Sequence, residues 1–104
     1  MPIPKTYIRF KKSHPKLMKA YEALGDACRR SGPLDKKTAA LVKLGIAIGS
    51  GLEGGTHSAA RKALAAGCTA ADLDHVAILC TTTLGFPAMM RARAWVADVV
   101  EEEK

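Results

Sequence analysis

The chain has 104 residues, 48% of them hydrophobic and 25% charged, with a formal net charge of +6 at pH 7. That is the length of one domain with a single core, its composition is that of ordinary globular proteins, and no apolar run approaches the ~20 residues that span a bilayer. The start, Met1-Pro2-Ile3-Pro4-Lys5, has no signal-peptide core, so a cytoplasmic location is expected.

The charge is uneven: residues 1–43 carry eleven Lys/Arg against three Asp/Glu, whereas residues 44–104 carry five against seven. A basic half can attract nucleic acid. Aromatic residues make up only 5%, however, and there is no stacking platform, zinc motif or recognition helix, so nucleic acid is not the partner expected. The asymmetry serves subunit pairing or is a solvated face.

Residues 1–12 hold two prolines and the basic, β-leaning run Tyr7-Ile8-Arg9-Phe10-Lys11-Lys12. They read as an extended N-terminal arm whose Ile8 and Phe10 need apolar cover, as from a neighbouring subunit. A helical domain follows over residues 13–104. Its first helix starts at Ser13-His14-Pro15, where proline is tolerated in a first turn, and ends before Gly32-Pro33. Leu17, Tyr21, Leu24 and Cys28 share one face of it, with His14 a surface residue at its start.

Asp35 caps a second helix, which runs on through the apolar residues 39–48 with a single charge, Lys43. Apolar on nearly every side, it is either the central helix or one whose outer face another subunit buries. A third helix over about residues 55–66 stops at Gly67, a left-handed C-terminal cap. Thr69-Ala70-Ala71-Asp72 resembles a capping box and opens a fourth, whose Leu73, Val76, Ala77, Cys80 and Leu84 form one stripe. His75 lies off that stripe and reads as an exposed or interface histidine.

Gly85-Phe86-Pro87 ends the fourth helix and starts a fifth, in which Met89, Ala92, Val96 and Val99 mark the buried side and Met89 and Met90 fill core. The acidic end, Glu101-Glu102-Glu103, opposes the helix dipole and is expected to fray. No segment alternates with strand periodicity, and the eighteen alanines suit close helix packing. The expected fold is therefore an all-α, single-domain bundle of about five helices, completed by oligomerisation.

Between the second and third helices lies Gly49-Ser50-Gly51-Leu52-Glu53-Gly54-Gly55-Thr56-His57-Ser58. Such a break is either a plain connection or a site, because glycine lets other groups approach closely and the next helix begins with free N–H groups. Glu53, Thr56 and His57 are the side chains there with a proton to give or take. The three cysteines, Cys28, Cys68 and Cys80, include no Cys-x-x-Cys, so neither a disulfide framework nor a zinc site is expected. Buried thiols are the ordinary reading, and Cys80 is the one that would line a reactive pocket. His14, His57 and His75 sit on separate elements with no i, i+4 pair, so no metal and no cofactor is expected.

Two stretches carry a resemblance. Leu34-Asp35-Lys36-Lys37-Thr38-Ala39-Ala40-Leu41-Val42-Lys43-Leu44-Gly45-Ile46-Ala47, and Ala63-Leu64-Ala65-Ala66-Gly67-Cys68 running on to Gly85-Phe86-Pro87, resemble the carboxymuconolactone decarboxylase and AhpD-like family of small all-α proteins. The resemblance implies a homotrimer or homohexamer with helices shared between subunits. The family's peroxidase branch uses a Glu, a Cys-x-x-Cys and a His. Here Ala40, Leu52, Gly55 and Ala59 stand at those positions, so a peroxidase of that type is not expected. The decarboxylase branch has no cysteine pair and works with polar residues around a pocket between helices. This chain keeps Glu53 and His57, with Ser58 where those decarboxylases place their histidine. The segment is similar to a Glu-Gly-x-x-His-Ser-His pattern, with Ala59 at the second His.

Three functions follow. One is a lyase or isomerase acting on a small organic acid near the glycine break. His57 would be its general acid/base, Glu53 would orient it or shuttle the proton, and Gly54, Gly55, Thr56, Ser58 and Arg61 would line the ligand with Cys80. Another is a non-catalytic binding or oligomeric module that has lost the thiol relay. The third is a redox protein built around Cys80.

Overall fold

The computed structural model describes residues 3–102. Among these the chain is all-α, with helices α1 Lys5–Ser13, α2 Pro15–Arg30, α3 Lys36–Gly49, α4 Glu53–Ala65, α5 Ala70–Leu79, α6 Thr81–Leu84 and α7 Phe86–Glu102. The chain divides into two compact units, residues 1–34 and 35–104. No helix of the described residues is long and apolar enough to cross a membrane.

In the first unit the expected extended arm is corrected: Lys5–Ser13 is helical, while Met1 and Pro2 lie outside the described residues. A lone extended segment would leave its backbone groups without ladder partners, whereas a helix satisfies them internally. Lys11 and Lys12 also fall in the last turn, where the helix dipole favours cations. Ile8 and Phe10 stay exposed, and His14 packs on Phe10 with ring centroids 5.1 Å apart. In α2, Pro15 occupies the first turn as expected and Met18 is the buried side chain. The face of Leu17, Tyr21, Leu24 and Cys28 is exposed rather than packed.

The second unit has its core where α3, α4, α5 and α7 meet: Leu44 and Ile48, Ala60 and Ala63, Leu73 and Ala77, and Ala92, Val96 and Val99, with Cys68 beside them. Burial of Leu44, Ile48, Leu73 and Val99 contributes about 1.5–3 kcal/mol each. The alanines between them let the helix backbones come close. All four positions expected on the buried side of the last helix are buried. Helix α3 buries Leu44 and Ile48 while Val42 and Ile46 face out, so its apolar character exceeds what one copy covers.

Local chemistry sets the boundaries. Asp35 accepts from the Thr38 N–H at 2.8 Å and starts α3. Thr69 and Asp72 form the reciprocal capping box of α5, at 3.1 and 2.8 Å. Helix α4 ends with the Cys68 N–H on the Ala63 carbonyl and the Gly67 N–H on that of Leu64, a Schellman arrangement in which Gly67 has φ +99°. The expected fourth helix divides at Cys80. There the Thr81 hydroxyl takes the Ile78 carbonyl at 2.6 Å and the Cys80 thiol takes that of Val76 at 3.4 Å, so side chains compete with the helical ladder. Glu101 and Glu102 remain helical, whereas Glu103, where fraying was also expected, lies outside the described residues.

The backbone N–H of Thr69 holds the Asp72 carboxyl below its ordinary range, and that of Thr38 does the same for Asp35. A depressed folded-state pKa gives stability that is complete above the unfolded value and is lost as pH falls through the folded one. Urea unfolding from about pH 5 down to about pH 2 should therefore show stability falling with acid. Asp72→Asn should flatten that slope; an unchanged slope would remove the capping box as its source.

Candidate functional site

The break between α3 and α4 is three residues long, Ser50, Gly51 and Leu52. Gly51 adopts φ +68°, a left-handed conformation that a β-carbon would strain, and Leu52 then turns extended to become the N-cap of α4. Leu52 offers no capping side chain, and the exposed Glu53 is the acidic residue of the first turn of α4, where the helix dipole favours it. One turn on, Thr56 and His57 point into the protein: both are buried, at 0% and 5% exposure. His57 is thus a buried histidine, not a surface one.

His57 is tied across to α7. Its Nε2 lies 3.0 Å from Asp98 Oδ2, and the Asp98 side chain is 44% exposed. The pair therefore has one end in the protein and one at its surface. A carboxylate accepts only, so Nε2 is the donor, which leaves Nδ1 as the proton-accepting nitrogen of the neutral ring. Thr56 Oγ1, next to it in sequence, has no hydrogen-bond partner among the described residues. A buried, unpaired hydroxyl costs about 1–3 kcal/mol and can be satisfied by a bound polar group.

Arg91, Trp95 and Asp98 stand one residue before the buried Ala92, Val96 and Val99, and so form a second stripe of α7 about 100° round from the core. The Arg91 guanidinium sits 4.9 Å from the Trp95 ring centroid. Its Nη2 is 3.6 Å from where a β-carbon on Gly51 would be, which places it against the glycine break. Among the described residues Arg91 has no carboxylate partner, in contrast to Arg93, which pairs with Asp74 at 2.6 Å, and to Arg29, which pairs with Asp26.

Of the expected site residues, α4 carries Glu53, Gly54, Gly55, Thr56, His57, Ser58 and Arg61, with Ser58 and Arg61 half-buried. Glu53 is not the hydrogen-bond partner of His57; Asp98 is. Asp98, Arg91 and Trp95 escaped the sequence reading. Their signal was the i, i+4, i+7 spacing of three chemically capable side chains beside the buried stripe.

Cys80 is elsewhere. It lines an open groove of about 560 Å³ between α3 and the α5–α6 segment, together with Val42, Asp72, His75 and Thr83 and with none of the seven α4 residues. His75 is exposed at its rim. Among the described residues no three His, Cys, Asp or Glu side chains are grouped to hold a metal ion.

The family model described as the carboxymuconolactone decarboxylase family matches residues 15–98. The chain belongs to that family. Neither a curated protein nor a solved structure matches it. As a carboxymuconolactone decarboxylase family member it has Ala40 and Ala59 half-buried on α3 and α4, and Leu52 exposed at the break. Those positions, aligned above with a peroxidase relay, hold no ionisable group.

The thiols differ in setting. Cys28 is exposed and Cys80 half-buried, while burial pushes the Cys68 thiol up, helped by the Asp72 carboxylate. Iodoacetamide labelling of the native protein at neutral pH, read by mass spectrometry, should modify Cys28 first and Cys68 last. Labelling of Cys80 ahead of Cys28 would revive the redox reading.

Proposed function

We propose that this protein is a cytoplasmic lyase or isomerase of the carboxymuconolactone decarboxylase family, acting on a small organic acid beside the glycine break. The observation that carries this is the His57–Asp98 pair, a buried imidazole held by a carboxylate at the start of α4. Asp98 fixes the orientation of the ring, so His57 gives a proton to, or takes one from, substrate carbon. In decarboxylation, loss of carbon dioxide leaves a dienolate that the imidazolium protonates. Shielding of the ring from water directs that proton to substrate rather than to solvent.

Asp98 takes over the orienting role first given to Glu53, which is left as a proton shuttle to solvent. The Gly54 and Gly55 N–H groups, Thr56, Ser58 and Arg61 bind the acid, with Arg61 one turn beyond His57 as the near cation. Assembly as a homotrimer or homohexamer is part of the proposal. It is supported by the exposed Leu17, Tyr21 and Leu24 on α2 and Val42 and Ile46 on α3, apolar surface of the kind that interfaces cover.

A second reading, a non-catalytic binding or scaffold relative, is favoured by one observation: a histidine only 5% exposed also serves to pin α4 to α7. Turnover separates the two. Incubated with carboxymuconolactone and related lactone acids, the wild-type protein should consume substrate, and His57→Gln should lose at least about 100-fold in kcat with an unchanged circular dichroism spectrum. Undiminished turnover in His57→Gln would remove His57 from the chemistry, and binding without consumption by the wild type would favour the scaffold.

A further inference from the structure

We propose that α1 is a membrane-surface element, which lies on the headgroup region of an anionic lipid bilayer. The proposal goes beyond the His57 site and uses none of its residues. Residues 1–34 carry eight Lys/Arg against two Asp/Glu, whereas residues 35–104 carry eight against eight, so the formal charge of +6 belongs wholly to the first unit. Both acids of that unit are taken up within it: Glu22 pairs with Lys11 at 3.7 Å, and Asp26 with Arg29. Lys5, Arg9, Lys12, Lys16, Lys19 and Arg30 are left with no carboxylate partner among the described residues.

Helix α1 sorts its side chains by chemistry. At about 100° per residue, Lys5, Arg9 and Lys12 share one side and Tyr7 and Phe10 the opposite one, where the His14 ring packs on Phe10. No residue of α1 is buried, and Ile3, Tyr7, Ile8 and Phe10 are each at least 41% exposed. Such a helix is far too short to cross a bilayer but suits its surface, where aromatic rings settle among the headgroups and long basic side chains reach the lipid phosphates. Charge decides between occupants. A second copy offers this face either another unit of +6, which repels it, or a unit of no net charge, which does not attract it. A nucleic acid would meet the cations and leave the apolar side chains uncovered. An anionic bilayer meets both. The apolar stripe of α2 is not needed for this and stays available to subunit contacts.

Co-sedimentation of the full chain, in whatever assembly it forms, with phosphatidylcholine vesicles that contain or lack phosphatidylserine tests this. The wild type should bind the phosphatidylserine vesicles at least about tenfold more tightly, and about 1 M salt should remove most of that difference. The triple variant Lys5→Gln, Arg9→Gln, Lys12→Gln should fall to the level seen on phosphatidylcholine alone. The pair Tyr7→Ser, Phe10→Ser, which keeps every charge, should also bind the phosphatidylserine vesicles less tightly than the wild type, with circular dichroism unchanged in both variants. Equal binding of the wild type to the two kinds of vesicle would overturn the proposal. So would tighter binding to a short DNA duplex than to phosphatidylserine, or full vesicle binding by the Tyr7, Phe10 variant, since either would make this face a general polyanion surface.

Discussion

The hydrogen bond between His57 and Asp98 is the constraint on which this site depends. It joins the first turns of α4 to the far half of α7, over 41 residues of sequence, beside the apolar core that those helices share. A buried imidazole without a partner would carry the full cost of desolvating a ring nitrogen. With Asp98 in place the ring is oriented, its proton is assigned to Nε2, and Nδ1 is left for other work. Because Asp98 reaches the surface, the pair is accessible through its carboxylate while the imidazole stays sheltered.

The rest of the second unit exists, in effect, to bring those two residues together. Gly51 lets α3 turn sharply into α4, and the Schellman ending at Gly67 with the Thr69–Asp72 box turns α4 into α5. Alanines at 60, 63, 77 and 92 allow α4, α5 and α7 to close on Leu44, Ile48 and Leu73. Larger side chains at those positions would force the helices apart, and a 3.0 Å hydrogen bond tolerates little of that.

Much of this was legible in the sequence, for physical reasons. Caps and terminators act locally, so Asp35, Pro15, Gly67, the Thr69 box and the Gly85-Phe86-Pro87 stop could be placed from their neighbours alone, and the period of α7 gave its four buried residues. What failed was what depends on competition or on distance. Residues 5–13 have β-leaning side chains, but without a strand to pair with, the helix satisfies their backbone better. The division at Cys80 depends on hydroxyl and thiol groups claiming helical carbonyls. The apolar face of Leu17, Tyr21 and Leu24 reads as core by its period, yet it lies exposed in one copy of the chain. At the site, His57 was found because it adjoins a glycine break. Its partner was not, because Asp98 is distant in sequence and Glu53 is near; proximity along the chain is a poor guide when a helix turns neighbouring side chains about 100° apart.

The central claim is that His57 and Asp98 act as one unit. A double-mutant cycle in urea unfolding, with His57→Ala, Asp98→Ala and the double variant, tests it most directly. A coupling of about 1 kcal/mol between the two positions is expected. Effects that add to within about 0.3 kcal/mol would contradict it, and would leave the two side chains as neighbours that do not depend on each other.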